Sequence, residues 1–86
     1  MREIAAYISR KTGITLAEMR SERRISECLF AREVAIYLMR IEGMKTVTAI
    51  GRFLNKDHST ICYALERVNK KLKQNKTIKL LEEFRK

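Results

Sequence analysis

Apolar residues recur at three- and four-residue intervals along almost the whole chain, which is the spacing of helices rather than strands. Ile4 and Ile8, with Ala5 between them, form a first stripe, and Gly13 offers a left-handed stop, so a helix is expected near residues 2–12. Thr15-Leu16-Ala17-Glu18 matches the S/T-x-x-E capping box, in which the hydroxyl accepts an orphan backbone N–H and the glutamate reaches back. A short second helix over Leu16 to Arg20 follows from it. Ser21 to Ile25 interrupts the pattern with Glu22, Arg23 and Arg24 and reads as a charged turn.

Ser26 is the expected N-cap of the longest helix, over 27–42, with Phe30, Val34, Tyr37, Leu38 and Ile41 as its buried face and Gly43 as its end. Thr46 should cap a helix from Val47 to Leu54, with Val47, Ile50, Phe53 and Leu54 inward. After Asn55-Lys56, Asp57 should cap a helix reaching about Lys73, striped by Ile61, Leu65, Val68 and Leu72. Thr77 is expected to cap a last helix with Ile78, Leu81 and Phe84 inward. The predicted fold is all-α, with five or six helices around one core.

Composition sharpens this picture. The chain has 86 residues with three glycines and no proline, and it reads as a single domain over 1–86 without repeats or linkers. The longest apolar run, Val34 to Met39, is far shorter than the ~20 residues of a membrane span. The opening Met1-Arg2-Glu3 has no secretory-signal pattern. Cys28 and Cys62 stand far apart and the chain has one histidine, so neither a metal site nor a cofactor is expected. They read as small apolar side chains in a reducing cytoplasm.

Nineteen Lys and Arg against ten Asp and Glu leave a net charge of +9. On so small a body this favours a phosphate polymer as partner, ahead of an acidic membrane surface. Enzymatic work is not expected. Asp57-His58 is the only acid–histidine neighbour pair, and adjacent helical side chains diverge by about 100° rather than converge.

Residues 46–73 describe a short helix, a tight turn and a longer helix, which is helix-turn-helix grammar. The second helix opens with Asp57, His58, Ser59 and Thr60, all polar and all ahead of its apolar stripe. In such motifs this end enters the major groove and faces base edges. Asp accepts from a cytosine amino group, and His and Thr hydrogen-bond or touch a thymine methyl. The same residues also suit plain capping and solvation.

The string Ala49-Ile50-Gly51-Arg52-Phe53-Leu54-Asn55-Lys56-Asp57-His58-Ser59-Thr60-Ile61 resembles the DNA-binding C-terminal domain of the bacterial replication initiator DnaA. Arg32-Glu33-Val34-Ala35-Ile36-Tyr37-Leu38 resembles that family's Arg-Gln-x-Ala-Met-Tyr-Leu helix, and Ser21-Glu22-Arg23-Arg24 its Ser-Lys-Arg-Arg loop. With the first helix and Thr12 to Met19, the resemblance covers nearly the whole chain.

It implies a Trp-repressor-like fold that binds a short A/T-rich duplex box as a monomer, in a cytoplasmic protein associated with the nucleoid and acting in replication initiation or its regulation. By position, Arg24 would enter the minor groove. Asp57, His58 and Ser59 would read bases, while Arg23, Arg32, Arg40, Lys56 and Thr60 would hold phosphates. Three departures stand out: Glu22 in place of a basic residue, Glu33 in place of Gln, and Ser59 in place of the commoner Thr.

These departures motivate an alternative, a diverged module that binds a replication protein instead of a DNA box. The Lys-rich stretch at Lys70, Lys71, Lys73, Lys76 and Lys79 adds charge without sequence information. No GxxxxGK[ST] phosphate loop occurs, so the chain carries no ATPase module. It corresponds either to a fragment of an initiator or to a stand-alone protein, and Met1 directly before the first helix favours the second.

Overall fold

The computed structural model describes residues 1–22, 25–71 and 82–83. Five helices follow in order: α1 Arg2–Thr12, α2 Leu16–Arg20, α3 Ser26–Ile41, α4 Val47–Leu54 and α5 His58–Lys71. The architecture is all-α with a helix-turn-helix formed by α4 and α5. The expected helix after Thr77, with Ile78, Leu81 and Phe84, lies outside the described residues except for Glu82 and Glu83, which are helical. Glu83 meets Lys11 of α1 in a 2.7 Å ion pair.

Local chemistry sets most helix ends. Gly13 takes the left-handed conformation (φ 78°) and donates its N–H to the Ser9 carbonyl, closing α1. The capping box on α2 is complete: Thr15 Oγ1 accepts from the Glu18 N–H at 3.1 Å, and Glu18 Oε1 accepts from the Thr15 N–H at 3.1 Å. Thr46 Oγ1 accepts from the Ala49 N–H at 3.1 Å to start α4. Asp57 Oδ1 accepts from the Thr60 N–H at 2.8 Å to start α5.

Helix α3 differs from expectation at its start and around its circumference. Its N-cap is Ile25, in extended backbone, and Ser26 already lies within the helix without capping it. At the other end Met44, not Gly43, adopts positive φ (53°). The buried residues are Cys28, Ala31, Arg32, Glu33, Val34, Ala35, Ile36, Leu38 and Met39. Phe30 and Tyr37 are only half-buried, and Ile41 is 48% exposed. The reason is placement: α3 touches each of the other four helices, so no single stripe describes what it buries.

Around α3 the core gathers Ile4 and Ile8 of α1, Met19 of α2, Ile50 and Leu54 of α4, and Ile61 and Ala64 of α5. Val68 of α5 is buried as well. Val47, Phe53 and Leu65, expected inward, are half-buried against this core, and Leu72 lies outside the described residues.

The turn between α4 and α5 positions the candidate site. Asn55 is left-handed (φ 57°) and its N–H points to the Arg52 carbonyl at 3.4 Å, while the Lys56 N–H bonds the Gly51 carbonyl at 2.8 Å. This pair of bonds is the Schellman arrangement, which satisfies the last carbonyls of α4 and reverses the chain. It brings the Lys56 carbonyl so close to α4 that a Cβ on Gly51 would lie 2.8 Å from that oxygen.

Gly51→Ala therefore forces the turn open. The expected cost is about 2 kcal/mol, within the range for overpacking, which lowers Tm by roughly 10 °C in a domain of this size. Thermal unfolding followed by circular dichroism measures it, and an unchanged Tm would contradict the close approach.

Candidate nucleic-acid interface

The tip of α5 carries four consecutive exposed polar residues, Asp57, His58, Ser59 and Thr60. They are exposed because the apolar stripe of α5 begins only at Ile61, which is fully buried. Asp57 is held as a cap, and hydrogen bonds from the Thr60 side chain and backbone keep its carboxyl below the usual value of 3.8. His58 Nδ1 lies 3.6 Å from Cys62 Sγ one turn along, while Nε2 makes no hydrogen bond to a described residue. Asp57 and His58 form one wall of an open groove of about 550 Å³, shared with Val47, Arg52 and Asn55 of the α4 side. The amide groups at the start of α5 give this tip a positive pole, which suits a phosphate or a base acceptor.

Thr60 faces a second, narrower groove of about 230 Å³ between α3, α5 and the end of α2, with Glu22, Glu33, Lys56, Tyr63 and Arg67 around it. Two of the cations assigned by resemblance sit at this groove but are turned inward. Arg32 is 6% exposed, and its Nε donates to the Met19 carbonyl at 2.8 Å while Nη2 donates to the Ser21 carbonyl at 3.1 Å. The Lys56 ammonium donates to the same Ser21 carbonyl and to that of Arg20 at 3.2 Å. Glu22 stands 3.9 Å from it.

Arg32 thus fastens the carboxyl end of α2 to α3, and Lys56 fastens it to the turn of the helix-turn-helix. The carbonyl oxygens of Met19 and Ser21 solvate the buried Arg32 guanidinium, which makes its burial tolerable. Arg40 is exposed and donates to the Lys45 carbonyl at 3.2 Å, so it braces the α3–α4 connection and lines neither groove. Arg23 and Arg24 lie outside the described residues.

Arg67 and Tyr63 were not singled out by sequence reading. Arg67 Nε meets Glu33 Oε2 at 2.8 Å, with the glutamate side chain only 8% exposed and the arginine 44% exposed. Tyr63 is 62% exposed. The signal that could have found both is helical spacing: Thr60, Tyr63 and Arg67 fall three and seven residues apart, on one face of α5.

Residues 1–68 match the family described as bacterial dnaA protein helix-turn-helix. The chain belongs to this DnaA helix-turn-helix family. Individual relatives agree. The chain is 34% identical over 83 residues to the chromosomal replication initiator protein DnaA of Rickettsia akari, covering 95% of this chain and 18% of that protein. It is 35% identical over 77 residues to the DnaA of Geobacter metallireducens, covering 88% and 17%. The DnaA of Latilactobacillus sakei is 28% identical over 78 residues, covering 90% and 17%. The chain therefore spans less than a fifth of the length of these DnaA proteins. No solved structure matches the chain.

Two outcomes follow from this geometry. Lys56→Met leaves the Arg20 carbonyl without its ammonium and removes one of the two cations on the Ser21 carbonyl, and it is expected to lower unfolding free energy by about 1–3 kcal/mol in urea titration. A second concerns acid. Because the folded-state pKa of Asp57 is lowered, its contribution is complete above 3.8 and is lost as pH falls through the lower folded value. Asp57→Asn should therefore reduce the loss of stability on acidification below about pH 4. An acid limb identical to that of the wild type would show that the Asp57–Thr60 bond does not favour the charged carboxylate.

Proposed function

We propose that this domain binds double-stranded DNA sequence-specifically, at a short A/T-rich box of the replication-initiator type, and acts in replication initiation or its regulation. The observation that carries the reading is the α5 tip: a polar, positively poled, solvent-exposed helix start on a helix-turn-helix of the DnaA family. The net charge of +9 supports it, since phosphate neutralisation supplies most of the affinity in such complexes. Asp57, His58 and Ser59 are the proposed base-reading residues, with Ser59 lacking the methyl group that Thr would pack on thymine.

Thr60 and Arg40 are proposed to touch phosphates, with Arg23 beside them, and Arg24 to enter the minor groove. For Arg32 and Lys56 the carbonyl bonds support a positioning role ahead of the phosphate role implied by the resemblance. They hold Ser21, two residues before Arg23, against the turn that carries Asp57. A monomer on DNA, in the cytoplasm and associated with the nucleoid, completes the proposal. No cofactor or metal takes part in it.

The test is selection of a duplex from a randomised pool, followed by titration of that duplex and of a random one at several salt concentrations. His58→Ala and Arg24→Ala should weaken the selected duplex about 10-fold or more and the random duplex much less. Arg40→Ala should weaken both about equally and flatten the dependence of log K on log salt by about 0.9. Equal losses on both duplexes for His58→Ala and Arg24→Ala would overturn the base-reading assignment. Absence of binding to any duplex at low salt would overturn the function and favour a protein partner.

A further inference from the structure

Glu33 is a nearly buried carboxylate on the central helix, and across the narrow groove it meets an exposed cation of α5. Arg67 projects from α5 on the face that carries Thr60 and Tyr63, and its Nε is drawn to Glu33 Oε2 at 2.8 Å. The pair is unequal in exposure, with the glutamate at 8% and the arginine at 44%. A buried anion requires compensation, so the arginine is the member that gives up freedom. An arginine on this face would otherwise add its charge to the proposed phosphate-facing surface beside Thr60.

We propose that Glu33 is a positioning residue that holds Arg67 away from the DNA backbone, lowering affinity for all duplexes alike. The inference rests on the DNA-binding reading above and adds to it a named determinant of binding strength. The physical reason for uniformity is that a phosphate contact carries no sequence information. Withholding one cation removes one counterion-releasing contact whatever the base sequence. Glu33→Gln keeps the shape of the side chain and an oxygen acceptor for Arg67 but removes the charge that retains it.

The experiment compares wild type, Glu33→Gln and the double variant Glu33→Gln/Arg67→Gln on the selected and the random duplex across a salt series. Glu33→Gln should tighten both duplexes by roughly three- to tenfold at low salt and steepen the slope of log K against log salt by about 0.9. The ratio between the two duplexes should stay unchanged. The double variant should lose this gain, returning to about the wild-type slope. A merely structural role for Glu33 would lower Tm without steepening the slope.

Unchanged binding by Glu33→Gln, when wild type binds, overturns this inference and leaves the DNA-binding reading standing. Persistence of the gain in the double variant overturns it as well, because the benefit would then come from removing the negative charge rather than from releasing Arg67. If wild type binds no duplex, both readings fall together.

Discussion

Two cations from distant parts of the chain converge on the last carbonyls of one short helix. Helix α2 has only five residues, far below the length at which a helix persists by its own hydrogen bonds. Its start is closed by the Thr15–Glu18 capping box, and its end by Arg32 and Lys56, which share the Ser21 carbonyl. Arg32 reaches there from the central helix, and Lys56 from the turn of the helix-turn-helix. This junction holds Ser21 against the turn that leads into the α5 tip. Cations at a helix carboxyl end are favoured by the orphan carbonyls and their partial negative charge.

The same junction changes how the charge of the molecule is to be counted. A surplus of nine cations suggests an open basic surface, yet several of them are committed within the fold. Arg32 and Lys56 serve carbonyls, Arg67 serves Glu33, Lys11 serves Glu83, and Arg40 braces a connection. Attraction over a Debye length still responds to the total charge, because a hydrogen bond to a neutral carbonyl cancels none of it. Direct contact with phosphate responds instead to the donors that remain outward. Arg67 is opposed at 2.8 Å by a nearly buried carboxylate, which offsets its charge at short and long range, whereas Glu22 stands 3.9 Å from Lys56 and is 92% exposed.

Helix boundaries were legible in the sequence wherever a boundary is made by chemistry a few residues long. The Thr15 box, the Gly13 stop, the Thr46 cap and the Asp57 cap all stand where the pattern put them. The buried faces were legible only for peripheral helices. A stripe describes α1, whose buried residues are Ile4, Ala5 and Ile8, but α3 is covered from several sides and buries Ala31, Ala35 and Ile36 that a single stripe omits. The α5 tip was legible because its polar run precedes the apolar stripe. The inward turn of Arg32 and Lys56 was not, because their carbonyl partners lie 11 to 14 and 35 to 36 residues away. No local pattern encodes such pairs.

Glu33 shows why a departure from a family pattern needs its surroundings before it acquires a meaning. As a string, a glutamate in place of Gln beside a basic residue reads as repulsion toward a polyanion. In the fold its carboxylate is almost out of solvent and is met by Arg67, so its field outside the molecule is largely that of a neutral pair. Its effect on a partner is then indirect, through the cation it occupies. Glu22 is the contrasting case: its side chain is 92% exposed and only 3.9 Å from a nearly buried Lys56. Such an exposed carboxylate is screened by salt and leaves the lysine on its carbonyls. Of the two acidic departures, the buried one therefore has the stronger hold on binding, although the exposed one adjoins the arginine segment in the chain.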